Sequence, residues 1–396
     1  MFSAPVSICL ALTAVALFLH RMAYWATLRQ TAPPREPWPH RPLPLTVLKP
    51  IKGLEEELEQ NLRSFFEQDY PAPLQLVFAS TEPGDPGIAL ARRIAEQYPA
   101  VESKFVLSDP SFGTNPKVSN LAGALRAAAH DLVLQTDANV RVRPGYLRAL
   151  VDEWQASGAS MLGALIAARG ERSLGAVLDN IQITSFTTPG ICLAERLAGI
   201  TCVLGKSMLF RRSELESLGG LALVKDVLAE DYVLGQTYAA AGKRVALSSL
   251  AVDNINVAAP VSRFLSRHSR WLKMRVVVHL GGFIADLISN ATFFSFLAFV
   301  LSGFELQLGA LYAAVVVYKV WLDRRLMLRL RSEPLALSYA LCMPLRDLVL
   351  PCIWLYASVS RTTEWRGERF RLSRGSLLTP IARHQPEVAV SEDSTT

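Results

Sequence analysis

The chain has 396 residues, 51% of them hydrophobic and 19% charged. This is too apolar for an ordinary soluble protein and too charged for a chain lying wholly in a bilayer. The net charge of +6 comes without a dense basic run interleaved with aromatics, so nucleic acid is excluded as a partner.

The apolar surplus lies at the two ends. Residues 2–19 form an apolar run long enough to span, with no positive residues before it and His20 and Arg21 where a small-residue cleavage site would fall. It reads as an uncleaved anchor over 1–22, with its C-terminal end in the cytosol. Arginines cluster beside the apolar stretches, as with Arg21 and Arg29, Arg324 and Arg325, and Arg361 and Arg366, which is the positive-inside pattern. Residues 23–44 read as a linker, because Pro33, Pro34, Pro37, Pro39, Pro42 and Pro44 forbid a helix there. The five cysteines include no pair at metal-site spacing, so reduced thiols are expected.

From 45 onward the pattern alternates. Short apolar runs at 45–48, 74–80, 104–107 and 132–136 predict strands, and helical periodicity is found at 55–68, 88–98 and 117–130. Such βαβ alternation predicts a mostly parallel sheet, with ligands beyond the carboxyl ends of its strands. The α/β domain is expected over 45–275. Membrane helices are expected over 276–360: a hairpin of spans at 283–302 and 308–322, then a segment at 335–359 broken near Pro344. The last carries Arg346 and Asp347, a costly pair at bilayer depth. Residues 361–396 read as a basic cytosolic tail with a disordered end.

Five clusters bear chemistry. Asp137 ends the apolar strand at 132–136, two residues before Asn139. A carboxylate there suits a hard divalent cation, Mg²⁺ or Mn²⁺, bridging a diphosphate, or else merely caps a turn. Glu230 and Asp231 precede a helix ending at Gly242, where acids favour the dipole and where one carboxylate would serve as general base; the sequence leaves open which of the two lies nearer an acceptor. Arg267, Arg270 and Trp271 share a helix just before the membrane, suited either to a diphosphate and sugar or to an interfacial belt. Glu82 and Asp85 flank a Pro-Gly turn, as a nucleoside site or a plain turn. Asn115 and Lys117 open a helix, as a cap and a phosphate contact respectively.

The order of these motifs resembles the ceramide glucosyltransferases, within the inverting GT-A glycosyltransferases. That family's pattern is three separated aspartates followed by Gln/Arg-x-x-Arg-Trp. Asp85, Asp137 and Asp231 match the aspartates, and Arg267, Arg270 and Trp271 match the final motif. The stretches 48–53, 65–71, 115–121, 202–205 and 365–371 are similar to family segments, and the likeness covers roughly 45–275.

The resemblance implies a GT-A domain with Asp85 at the nucleotide, Asp137 at the metal and Asp231 as base. It implies that Lys117, Arg267, Arg270 and Trp271 bind the nucleotide sugar, that the donor is UDP-glucose, and that ceramide in the bilayer is the acceptor. An integral membrane enzyme with a cytosolic catalytic domain follows, in a bacterial inner membrane or in Golgi or ER. Two departures stand out. Asn139 replaces the second acid of Asp-x-Asp, weakening the demand for metal. The segment 186–190 lacks the His that animal relatives carry near the lipid, which bears on the acceptor. Rival readings are transfer of N-acetylglucosamine to a hopanoid, and a non-catalytic nucleotide- or lipid-binding membrane protein.

Overall fold

The apolar strands at 45–50, 74–80 and 132–136 are buried along nearly their whole length, which is the pattern of strands covered on both faces. In the computed structural model, which describes residues 2–33, 41–365 and 368–381, these strands pair in parallel. β1 (Leu45–Pro50) sits between β2 (Leu74–Ser80) and β4 (Leu132–Thr136), with Leu45 opposite both Leu74 and Leu132. The others are β3 (Glu102–Leu107), β5 (Val140–Arg141), β6 (Met161–Arg169), β7 (Ser207–Arg211) and β8 (Val245–Ile255). The sheet order is β3-β2-β1-β4-β7-β6-β8-β5. β7 runs antiparallel to both β4 and β6, so the sheet is mixed beyond β4.

Helices cover both faces. Leu62, Phe65, Phe78, Leu134 and Leu147 fill one side, and Val118, Leu121, Met208, Phe210 and Tyr238 the other. Each such side chain contributes about 1.5–3 kcal/mol by leaving water. The two layers hold the carboxyl ends of β1, β2 and β4 level, and Lys49, Asp85 and Asp137 all lie at that edge.

Among the described residues three helices are long and apolar enough to cross a membrane: Ala4–Gln30, Leu306–Arg331 and Leu337–Val359. Several sequence expectations need correction. The first helix continues to Gln30, into the stretch 23–44 expected as linker, because the prolines begin only at Pro33. Residues 34–40, with Pro34, Pro37 and Pro39, lie outside the described residues. The expected span at 283–302 is two helices, Leu280–Ile288 and Ala291–Leu301, bent by 55°. Asn290 causes the break: its Oδ1 accepts from Phe293 N (3.0 Å) as a cap, and its Nδ2 donates to the Asp347 carbonyl (2.7 Å). The segment expected to break near Pro344 is interrupted at Leu341, between a short turn of helix, Leu337–Ala340, and the helix Cys342–Val359, and Pro344 falls in the first turn of the latter, where no backbone donor is needed.

Arg346 and Asp347 are buried in a closed ionic network. Arg346 pairs with Asp323 (3.2 Å) and Asp347, and Lys319 pairs with Asp323 and Asp347 (3.0 Å each). His20 reaches Asp323 (2.9 Å), and Arg346 Nη1 donates to Ser185 Oγ of the α/β domain (3.1 Å). Two cations against two carboxylates leave the cluster neutral, the condition under which buried charge is tolerable.

The basic tail also differs from expectation. Residues 362–380 form a three-stranded antiparallel sheet, β9 (Thr362–Trp365), β10 (Glu368–Leu372) and β11 (Leu378–Pro380). Phe370, Leu372 and Leu378 bury against Leu228, two residues before Glu230. Arg366 and the expected disordered end at 385–396 lie outside the described residues.

Candidate active site

Asp137 leaves the end of β4 with both carboxylate oxygens engaged. Lys117 Nζ lies 2.9 Å from Oδ1 and Lys206 Nζ 2.8 Å from Oδ2. Burial alone would raise this carboxyl, but the two ammonium groups outweigh it and hold it well below the usual carboxylate range. Lys117 stands at the start of the helix Pro116–Arg126 and also pairs with Glu230 Oε1 (2.7 Å). Burial works against its charge, yet Asp137, Glu230 and Asp231 together lift its pKa above the ordinary value. Lys206 also donates to Asn139 Oδ1 (2.8 Å). Beneath them Lys49, fully buried, donates to the Asp137 carbonyl (2.9 Å) and lies 3.8 Å from the Phe65 ring centroid. Burial pushes Lys49 down to about 7 against the pull of Asp137.

Glu230 and Asp231 open the helix Glu230–Ala240 and point to different partners. Glu230 is buried against Lys117, and burial raises its carboxyl despite that ammonium. Asp231 is less buried and is held by backbone amides: Gly205 N donates to Oδ2 (2.6 Å) and Tyr232 N to Oδ1 (2.8 Å). The loop before this pair is fastened from two sides. Asn115 Nδ2 donates to the Val227 carbonyl (2.6 Å), while its Oδ1 caps the Lys117 helix. From the tail, the Ser376 carbonyl accepts from Leu228 N (2.9 Å) and Ser376 Oγ from Ala229 N (3.0 Å).

Asp85, expected at the nucleotide, is 3% exposed and accepts from Gly53 N (2.9 Å), Ser80 Oγ (2.9 Å) and Gly87 N (2.7 Å). Those donors fill its carboxylate, so in this state it fixes the loop after β1 to the loop after β2. Arg267, expected at the diphosphate, is paired with the buried Asp179, which also takes His268 Nε2 (2.8 Å) and Asn256 Nδ2 (2.8 Å). Burial would raise Asp179, but Arg267 and His268 hold it below its ordinary range. Arg270 and Trp271 follow on the same helix, Val261–Val278, with His268 edge-on to Trp271 (5.4 Å).

Trp271 forms one wall of a cavity between the catalytic domain and the membrane helices. Phe186, Leu350, Pro351 and Trp354 line it, and the Arg275–Asp286 ion pair stands in its wall. Phe186 belongs to a π-helical turn, Ile183–Thr187, in the segment where animal relatives carry the His. Trp271 packs with Leu204 against Ile166, Ala168 and Ile183, and the next residue, Gly205, donates its amide to Asp231.

Lys206 and Asp179 were not singled out in the sequence, and Lys49 and Gly205 entered only as members of the family-like stretches 48–53 and 202–205, with no role assigned. Lys206 directly follows the 202–205 segment, the one signal that pointed near it. Asp179 sits among apolar residues that carry no local signal.

The fold and this strand-end cluster define a nucleotide-sugar glycosyltransferase of GT-A type. The mannosyltransferase PcManGT of Pyrobaculum calidifontis, solved with GDP-mannose and Mn²⁺, shares the fold at a TM-score of 0.50 and 20% identity, covering 90% of this chain and 98% of that one. The family model described as glycosyl transferase family 21 matches residues 8–378, and the chain belongs to that family. Among curated relatives, ceramide glucosyltransferase 1 of Caenorhabditis elegans is 25% identical over 91% of this chain and 78% of its own length. Ceramide glucosyltransferase 3 of the same organism is 26% identical over 85% and 74%. Together with the apolar helices, these relatives mark a membrane-associated enzyme.

Proposed function

We propose that the protein transfers glucose from UDP-glucose to the hydroxyl of ceramide with inversion, on the cytosolic face of the membrane, with Asp231 as general base. The observation that carries this reading is the division of labour between the two adjacent acids. Glu230 is neutralised by Lys117, whereas Asp231 is held by amides, one of them from Gly205, whose neighbour Leu204 packs against the same cluster as Trp271. A base must be ionised, oriented and within reach of the acceptor, and inverting transfer needs no covalent nucleophile.

In this mechanism the nucleotide sugar lies over the carboxyl ends of β1, β2 and β4. Lys117 and Lys206 supply positive charge for the diphosphate, and Arg270 adds a planar fork. The lipid enters laterally through the cavity, so that its hydroxyl approaches Asp231. A divalent cation fits the donor set: Asp137 is held ionised, Asn139 Oδ1 is adjacent, and hard cations take oxygen ligands. Phosphate oxygens of the donor would complete the shell of such an ion. When bound, such an ion neutralises charge developing on the leaving diphosphate.

A second reading is transfer of N-acetylglucosamine to a hopanoid polyol. The aromatic cavity walls, Phe186, Trp271 and Trp354, favour it, because flat rings suit a rigid polycycle. The deciding experiment offers radiolabelled UDP-glucose and UDP-N-acetylglucosamine, each with ceramide and with a hopanoid polyol, to membranes containing the protein. Glucose on ceramide supports the first reading. Label on the hopanoid alone moves the protein to the second, and no labelled lipid refutes both.

A further inference from the structure

The two ammonium groups on Asp137 occupy the directions a cation would take. Lys117 Nζ bridges Asp137 Oδ1 (2.9 Å) and Glu230 Oε1 (2.7 Å), and Lys206 Nζ bridges Asp137 Oδ2 (2.8 Å) and Asn139 Oδ1 (2.8 Å). Asp137 and Glu230 are therefore neutralised by the protein's own lysines. A divalent ion arriving alone would have to displace an ammonium from each oxygen it took. A displaced lysine, left in a partly buried pocket without a counter-ion, is costly.

A nucleoside diphosphate changes this balance. Its phosphate oxygens offer the lysines new acceptors at the same edge, leaving Asp137 and Asn139 free for the ion. Lys206 is the better suited of the two to move. Among the described residues it is bonded to Asp137 and Asn139, whereas Lys117 is also held by Glu230 and lies within 3.5 Å of the Gly205 carbonyl. The side chain of Lys206 is also the more exposed, at 22% against 13%.

We propose that Lys206 is a counter-ion relay: it neutralises Asp137 while bonded to Asn139, and passes to the diphosphate of the donor when that binds, so that cation and nucleotide bind interdependently. This rests on the site taking a nucleotide sugar. It makes Lys206 both a competitor of the cation and a ligand of the nucleotide, and these two roles predict opposite signs for one substitution. Because coupling is reciprocal, UDP tightens Mn²⁺ by the factor by which Mn²⁺ tightens UDP.

The test uses the full-length protein in nanodiscs, with Mn²⁺ binding read from the EPR signal of the free ion and UDP binding from calorimetry. In the wild type, Mn²⁺ alone binds weakly, and saturating UDP tightens it by at least about 10-fold, the scale of one charged hydrogen bond. In Lys206→Met, Mn²⁺ without UDP binds several-fold more tightly than in wild type, whereas UDP without metal binds at least about 10-fold more weakly. Lys206→Arg keeps the charge and should keep the wild-type sign of both effects, which separates relay from damaged folding. Loss of both affinities in Lys206→Met, or no change in either, overturns the relay, while UDP binding by the wild type upholds the nucleotide reading. Failure of the wild type to bind UDP at all overturns the nucleotide reading, and the relay with it.

Discussion

Gly205 is where the proposed chemistry is most tightly packed. A Cβ on Gly205 would lie 2.8 Å from Lys117 Nζ, 3.2 Å from Asp231 Oδ2 and 3.3 Å from Asp231 Cβ. Its backbone is not among the positive-φ glycines, so Gly205→Ala introduces contact without backbone strain. Lys117 cannot simply swing aside, being fixed by Asp137 and Glu230, and the Asp231 carboxylate is bonded to the Gly205 amide itself (2.6 Å). The added methyl must therefore push the carboxylate by a few tenths of an ångström. A misplacement of about 1 Å costs roughly 100-fold in rate, so a fraction of that predicts a fall in kcat of about 10-fold. Overpacking at one position costs about 1–3 kcal/mol, which leaves a large α/β domain folded. The assay is steady-state transfer to lipid acceptor, with thermal unfolding in parallel. A wild-type kcat in a folded variant would refute the assignment of Asp231. Equal loss of rate and of folded protein would refute the packing argument.

The other predictions concern parts further from the reacting atoms. Arg270→Lys keeps the charge but loses the planar fork, so the KM for the donor should rise several-fold; unchanged donor kinetics would remove Arg270 from diphosphate binding. Deleting residues 362–396 takes away the two Ser376 contacts to Leu228 and Ala229 and exposes Leu228. The expected result is a strong loss of kcat with the helices still inserted, as read by transfer assay and protease accessibility, and full activity would show that the tail sheet does not hold the acid pair. Arg346→Met leaves Asp323 and Asp347 buried with Lys319 as their remaining full cation in the network, a loss of about 3–5 kcal/mol on the scale of broken buried pairs. Melting in detergent should drop markedly, and an unchanged melting temperature would mean that the network is hydrated.

The half of the sheet built from β1 to β4 was legible because buried parallel strands and their helices announce themselves by apolar runs and periodicity. Those strands and helices fall where expected, to within a few residues at their ends. The antiparallel insertion of β7 between β4 and β6 was not legible, since strand order depends on long-range pairing that no local pattern records. The tail was misread because its arginines dominate the composition. The alternation of Arg369 and Arg371 with Phe370 and Leu372 is a half-buried strand, with the apolar partners inward. Asn290 inside an apolar run broke an expected span for the reason that makes Asn a good helix cap.

In the candidate site, residue types that carry chemistry were easier to see than their partners. Asp137, Asp231, Glu230 and Lys117 come together as one cluster. Asp85 and Arg267 were singled out for ligand contact, yet Asp85 is filled by Gly53, Ser80 and Gly87, and Arg267 by Asp179. A sequence displays the charge of a side chain and conceals which neighbour already satisfies it. For the same reason Lys206 escaped notice and Lys49 was assigned no role, although they set the electrostatics at Asp137.

The most direct test of the central claim is the rate of glucose transfer from UDP-glucose to ceramide by Asp231→Asn, measured against wild type at saturating donor. Asn keeps the shape and can still accept from the Gly205 amide, but cannot take a proton. The account predicts a fall in kcat of at least about 100-fold, the low end of a general base's contribution, with donor affinity little changed. A near-normal rate in a folded variant would contradict it and remove Asp231 from the chemistry.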